Sequence, residues 1–206
     1  MQGTEQWFEM RRGKITASRI SDIMASGRGG KPSATRENYL IELALERVTG
    51  NVTEDGYTSH AMRRGTEVEP IARAEYEIST GYDVDQVDFV DHEYLANTGA
   101  SPDGLVRKDG MVEIKCPQPK AHLETLRSRE IDRKYMLQMQ WQMECADRQW
   151  CDYVSYNPDF PERLRLVVSR VKYDEPMVLQ IRDAVEQAER EITELVRSIV
   201  AMEAQK

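Results

Sequence analysis

Cysteine and histidine are scarce. The chain of 206 residues carries three of each, Cys116, Cys145 and Cys151 beside His60, His92 and His122. The cysteines are odd in number with no CxxC pair and the histidines are dispersed, so neither a disulfide framework nor a zinc site is supported. Reduced, packed thiols are the expectation. No apolar run approaches the roughly 18 residues of a membrane span, and residues 1–10 lack a basic-then-apolar leader pattern, so a cytoplasmic protein is expected. An excess of positive charge is missing too, since 28 Lys+Arg stand against 36 Asp+Glu for a net charge of -8. That balance argues against a surface that coats nucleic acid everywhere, while leaving room for a local basic channel. Repeats, low-complexity segments and linkers are absent, so residues 1–206 read as one domain with a full core.

What the chain does hold is a compact charged stretch at 101–117, SPDGLVRKDGMVEIKCP. Alternate residues of a strand share a face, so Glu113 and Lys115 point together to one side while Val112 and Ile114 enter the core. Register decides whether Asp103 joins them. A two-residue Asp109-Gly110 loop sends Asp103 to the other face. A three-residue loop with Gly110 in the left-handed position sets Arg107 against Met111 and Asp103 against Lys115, and all three charges then share a face. The longer loop, or a bend at Pro102, is the expectation.

The flanking segments read as follows. Trp7 and Phe8 precede a basic turn, Arg11-Arg12-Gly13-Lys14, and the spacing of Ile15, Ile20, Ile23 and Met24 predicts a helix over 15–24 with Thr16 as N-cap. Its unpaired N–H groups, with Arg11 and the Ser18 hydroxyl close by, would suit a phosphate. Taken alone, the segment is an ordinary capped helix with a solvated basic turn. A loop at 27–33 carries the cations Arg28 and Lys31. Tyr39, Leu40, Leu43, Ala44 and Val48 then mark a helix ending at Gly50. After a loop through 54–56, Met62, Val68, Ile71, Ala72 and Tyr76 predict a helix stopping near Gly81, with Pro70 expected to kink or restart it. The alternation at 82–90 suits one half-buried strand with a slip in register. Beyond the hairpin come a helix near 121–129 and a second at 135–143, whose methionines pack a core and whose Gln138 and Gln142 share a face turned to water. Segments 150–156 and 164–171 read as a strand pair turned by Asn157-Pro158-Asp159. From Pro176 onward a long amphipathic helix closes the chain, its stripe explained by core packing first and oligomer contact second.

Two carboxylates with no histidine or cysteine partner are hard oxygen donors, which suit Mg2+ or Mn2+. A nearby lysine can orient an attacking water and balance charge on a phosphorane-like transition state, so phosphodiester hydrolysis fits these parts. On Glu113 and Lys115 alone, an exposed cross-face ion pair worth roughly 0 to 1 kcal/mol would be the better reading.

Ser101-Pro102-Asp103 followed by Glu113-Ile114-Lys115-Cys116-Pro117 resembles the PD-(D/E)xK nuclease motif, in the form found in phage lambda-type exonucleases, the alkaline exonuclease or YqaJ-like viral recombinase family. Trp7, Arg11 and Ile15-Thr16-Ala17-Ser18 resemble that family's N-terminal pattern. Arg64-Gly65-Thr66-Glu67-Val68-Glu69 resembles its acidic helix, and Tyr135-Met136-Leu137-Gln138 its YxxQ helix. Pro70 directly after Glu69 departs from the pattern.

The resemblance implies an α/β fold with a restriction-endonuclease-like core, a mixed central sheet flanked by helices and a long C-terminal helix. It implies that Asp103, Glu113 and the Ile114 carbonyl bind two Mg2+ ions, with Mn2+ as a substitute. Lys115 would then assist the nucleophilic water, Glu69 would act near the second metal, and Gln138 would position water or backbone. Arg11, Ser18 and Thr16 would hold a DNA 5'-phosphate and Ser101 would sit near the scissile phosphate. The activity implied is 5'-to-3' digestion of linear double-stranded DNA, leaving 3' single-stranded tails for phage recombination by single-strand annealing. A ring-shaped homotrimer, an annealing protein as partner and a bacterial host cytoplasm complete the expectation. The rivals are an endonuclease on the same core and a catalytically silent DNA-end-binding module.

Overall fold

The structure, a computed structural model, describes residues 4–27, 29, 33–52 and 60–203, without the side chains of 60–63 and 203. Arg28 and Lys31, the loop at 54–56, and the side chains of His60 and Met62 therefore lie outside the described residues.

The apolar runs at 110–115 and 150–156 form the middle of a mixed five-stranded sheet. Its order is β2 (Val84–Asp85), β5 (Gly104–Val106), β6 (Gly110–Lys115), β7 (Trp150–Tyr156) and β8 (Leu166–Lys172). Only β6 and β7 run parallel; the other neighbours in this sheet are antiparallel. Parallel neighbours need a crossover, which here consists of α5 (Pro119–Ser128) and α6 (Arg133–Ala146). A second sheet of three strands sets β4 (Thr98–Ala100) between β1 (Ile15–Thr16) and β3 (Val90–Asp91).

Helices cover both faces of the larger sheet. On one side α4 (His60–Thr80) lays Ala72 and Tyr76 against Val106, Val112, Val154 and Tyr156. On the other, Met139 and Met143 of α6 pack on Met111, Cys151 and Tyr153. A further face of α6 turns Leu137 and Trp141 away from the sheet. They meet α2 (Ile20–Ile23), α3 (Ala34–Thr49) and α7 (Glu175–Glu203) in a core that includes Ile20, Leu43, Ile181 and Val185. The α7 stripe is thus core packing, and Arg47 and Arg36 of α3 tie it down through Glu189 at 2.7 Å and Glu191 at 2.6 Å. The mixed sheet, its flanking helices and the long C-terminal helix are as the sequence resemblance implied.

Four expectations are corrected. The hairpin loop is three residues long, but it comprises Arg107, Lys108 and Asp109, because Val106 pairs Gly110. Arg107, not Gly110, takes positive φ, at 53°. Gly110 lies in the strand beneath the Trp150 ring, which a Cβ would meet at 2.1 Å. Continuing that register sets Asp103 across from Glu113 rather than Lys115, a shift of two residues that preserves the shared face. Secondly, no helix spans 15–24. Ile15 and Thr16 pair with β4, a 3-10 turn follows at Ala17–Arg19, and only then does the short α2 begin. The Thr16 side chain makes no capping bond. Thirdly, 82–90 is two strands in different sheets, because Val84 pairs with Val106 while Val90 pairs with Ala100. Finally, of the kink or restart expected at Pro70 the restart does not occur, because α4 runs as one helix from His60 to Thr80 with Pro70 inside it.

Candidate active site

The hairpin of β5 and β6 gathers the charges. Glu113 is 1% exposed, because β6 is sandwiched between α4 and α6. A buried carboxylate needs donors, and it finds three. Lys115 Nζ lies 2.5 Å from Glu113 Oε1, Gln138 Nε2 donates to the same oxygen at 2.7 Å, and Gln142 Nε2 donates to Oε2 at 2.7 Å. The face shared by Gln138 and Gln142 is therefore turned to the sheet and not to water. Asp103, also buried, accepts the Ile114 N–H through Oδ2 at 2.7 Å, which locks its carboxylate to the strand that carries Glu113. Burial first, and then the Glu113 charge, push the Asp103 carboxyl up to about 8. Burial works against the Lys115 ammonium, but Glu113 and Asp103 outweigh it and hold the proton on Lys115 well above neutrality.

Glu69 stands at the edge of this cluster on α4, its Oε1 accepting from Arg73 Nη2 at 2.6 Å. Its carboxyl is raised by burial, with Arg73 opposing and Glu113 adding, so it lies within the electrostatic reach of the two buried acids. The donors fit a hard divalent cation. The carboxylates of Asp103 and Glu113 and the Ile114 carbonyl could offer oxygen donors to such an ion. Burial keeps the nearby thiols protonated, raising Cys116 to about 12 and Cys151 well above its ordinary value. The imidazoles of His92 and His122 are committed elsewhere, the first to the N–H groups of Tyr94 and Leu95, the second to Ser155 Oγ and the Leu164 carbonyl. Among the described residues no three His, Cys, Asp or Glu side chains form a ready-made metal cluster. A cation here would thus rely on backbone oxygen, water and substrate to complete its shell, as Mg2+ commonly does.

A second constellation adjoins the first. α1 (Glu5–Arg11) is capped by Thr4, whose side chain accepts from Trp7 N, and it ends on Arg11. The Arg11 guanidinium lies 4.1 Å above the Trp7 ring and donates to Ser101 Oγ at 3.2 Å, Thr16 Oγ1 at 3.3 Å and Ser18 Oγ at 3.2 Å. Trp7 Nε1 donates to the same Ser101 oxygen at 3.0 Å. Burial pulls the Arg11 pKa down to about 10, and the group remains a cation at neutral pH. The four residues expected to meet phosphate are thus one network, and Ser101 joins it to Asp103 two positions along the chain. What supplies the positive charge is a side-chain fork; the turn after Thr16 is too short for a helix-terminal contribution.

An open groove of about 790 Å3 begins at Lys115 and runs along α5, past Arg127, Lys134 and the rings of Tyr135 and Tyr153. Its rim is mixed in sign, with Glu124, Glu130 and Asp132 among the cations. Sequence reasoning missed the roles of Trp7 as a platform for Arg11, of Arg73 as the partner of Glu69, and of Gln142. The Glu69–Arg73 and Gln138–Gln142 pairs are both at i, i+4 spacing, a signal that was visible; which neighbour they would face was not.

Comparisons with known proteins bear on the family and the fold. A family model described as the YqaJ-like viral recombinase domain matches residues 6–149. The chain is similar to an alkaline exonuclease (LHK-Exo) from Laribacter hongkongensis, with 40% sequence identity and a TM-score of 0.90 over 98% of this chain and 99% of that one. A crystal structure of LHK-Exo in complex with dAMP superposes with a TM-score of 0.91, at 40% identity and the same coverage of both chains. A phage related exonuclease from Haemophilus somnus shares the fold, with a TM-score of 0.75 at 15% identity over 93% of this chain and 99% of that one. A comparison with curated proteins found no match.

Proposed function

The chain belongs to the YqaJ-like viral recombinase family, and from that premise we propose that it is a Mg2+-dependent exonuclease that digests one strand of linear double-stranded DNA from its 5' end. Residues 1–206 would act as one nuclease domain, leaving 3' single-stranded tails for recombination by annealing in a bacterial cytoplasm. The observation that carries this reading is the joining of two sites through Ser101: a buried Asp103–Glu113–Lys115 cluster and a guanidinium pocket at Arg11. Its kinship with an alkaline exonuclease, and that relative's complex with dAMP, support mononucleotide release.

Asp103, Glu113 and the Ile114 carbonyl would hold the metal, with Glu69 beside a second ion. When bound, the metal supplies Lewis-acid stabilisation of phosphate charge and lowers the pKa of water. The chain's own residues do the rest. Arg11 presents a planar fork to the terminal 5'-phosphate, with the Thr16 and Ser18 hydroxyls completing the pocket. Ser101, hydrogen-bonded to Arg11 and Trp7, donates toward the next phosphate along the strand. Lys115 orients the attacking water and offsets charge as the water oxygen bonds to phosphorus and the P–O3' bond breaks. Gln138, anchored on Glu113, limits the freedom of that carboxylate. A homotrimer and a single-strand annealing partner remain part of this reading through the family alone.

The test is to incubate linear and closed circular duplexes with Mg2+ or with chelator and to follow nucleotide release. Release from linear DNA only, and only with Mg2+, is expected. Nicking of the circle would favour an endonuclease, and end binding without release a silent end-binding module.

A further inference from the structure

Gln142 lies in α6 with no solvent exposure, at a position where an apolar side chain would pack without polar cost. Its Nε2 donates to Glu113 Oε2, while its Oε1 has no hydrogen-bond partner among the described residues. An orphaned buried carbonyl is unfavourable, and what offsets that cost is the bond that the other end of the amide makes to Glu113. The other Glu113 oxygen is held by Gln138 and Lys115. The terminal torsion of a glutamate is broad, and a carboxylate anchored at one oxygen is still able to swing. Donors on both oxygens, one amide from each of two successive turns of a packed helix, fix its plane.

We propose that Gln142 is a positioning residue for the hydrolysis: it sets the orientation in which Glu113 meets the metal, without itself reaching DNA. This rests on the reading of Glu113 as a metal ligand. Side chains that orient a ligand in this way typically change metal affinity or activity by about 10- to 100-fold when removed. The same helix provides an internal comparison. Gln140 is equally buried, but its amide bridges the Lys172 carbonyl and the Asp174 N–H, both at 2.9 Å, and no bond joins it to Glu113.

The experiment compares the full-length wild type with Gln142→Met, Gln140→Met and Asp103→Ala. Mn2+ binding is measured by calorimetry without DNA, and kcat and KM are measured on linear duplex with Mg2+. Gln142→Met should lose about 10- to 100-fold in Mn2+ affinity or kcat with KM for DNA unchanged. Gln140→Met should lower the melting temperature and leave Mn2+ affinity alone. Should Gln142→Met fail to fold, Gln142→Asn, which keeps the amide but withdraws it by one methylene, carries the same expectation. Wild-type Mn2+ affinity and kcat in the Gln142 variant would overturn the proposal, as would equal losses in Gln140→Met. If Asp103→Ala leaves Mn2+ binding intact, or the wild type binds none, the ligand reading itself fails and the proposal with it.

Discussion

At the scale of single residues, Asp103 and Arg11 are both ionisable groups taken out of water, and each predicts a measurable difference. Asp103 has a folded-state pKa of about 8, raised by burial and then by Glu113. A carboxyl raised above its unfolded value of about 3.9 binds its proton more tightly in the native state, so its stabilising contribution is fully present below that pH and is lost as pH climbs toward 8. Asp103→Asn keeps an oxygen for the Ile114 N–H and has no charge to bury. In chelator, its melting temperature should therefore exceed that of the wild type by a margin that widens between about pH 4 and pH 8 and then stays level. Added Mg2+ should close the gap, since the cation favours the ionised wild type. A margin that narrows with rising pH would contradict the assignment. For Arg11, a duplex with a 5'-hydroxyl end forfeits a charge-assisted contact of roughly 1.5 to 3 kcal/mol, so its digestion should be slower by about one to two orders of magnitude. Arg11→Ala should erase that preference in a rate comparison of the two ends. Equal rates in the wild type would leave Arg11 as a structural cation stacked on Trp7.

Among the elements, α6 links the core to the site. Trp141 lies in the core that α6 shares with α2, α3 and α7 and donates through Nε1 to Thr98 Oγ1 at 3.0 Å, while Gln138 and Gln142 hold Glu113. Trp141→Ala should cost about 3 to 5 kcal/mol and lower the melting temperature by roughly 10 °C; a melt within 2 °C or so of wild type would deny α6 that role. The helix itself was legible, because its methionines recur at helical spacing. Its glutamine face was not, since a helix covered on several sides has no solvent face and an i, i+4 polar pair reads the same in water as against a strand. The shared face of Asp103, Glu113 and Lys115 was legible from the period of two. The loop was misplaced by one residue because Gly110 looked like a turn glycine and is instead a gap for Trp150. The helix expected at 15–24 failed for a nonlocal reason: Ile15 and Thr16 find partners on Thr98 and Gly99, more than eighty positions away. Two-residue strands such as β2 and β3 are likewise invisible to local alternation, because distant partners define them.

For the whole molecule, a chain of net charge -8 is read as meeting DNA through a local concentration of cations around one cluster of acids. On the proposed reading Arg11, Lys115, Arg127 and Lys134 would meet the phosphates from a surface otherwise mixed in sign, and binding to duplex ends should weaken as salt rises. The family resemblance adds assembly. Light scattering at working concentration is expected to give three times the 23.8 kDa chain mass, and a mass of one chain would remove the ring from the account. The measurement that bears most directly on the central claim is release of labelled nucleotide from a linear duplex in Mg2+ by the wild type and by Asp103→Ala, Glu113→Ala and Lys115→Ala, each checked for a folded melt. The wild type should release nucleotide processively or in steps, and each variant should fall to background while still melting cooperatively. Near wild-type release by folded Asp103→Ala or Glu113→Ala would contradict the account, and the chemistry would have to lie elsewhere in the molecule.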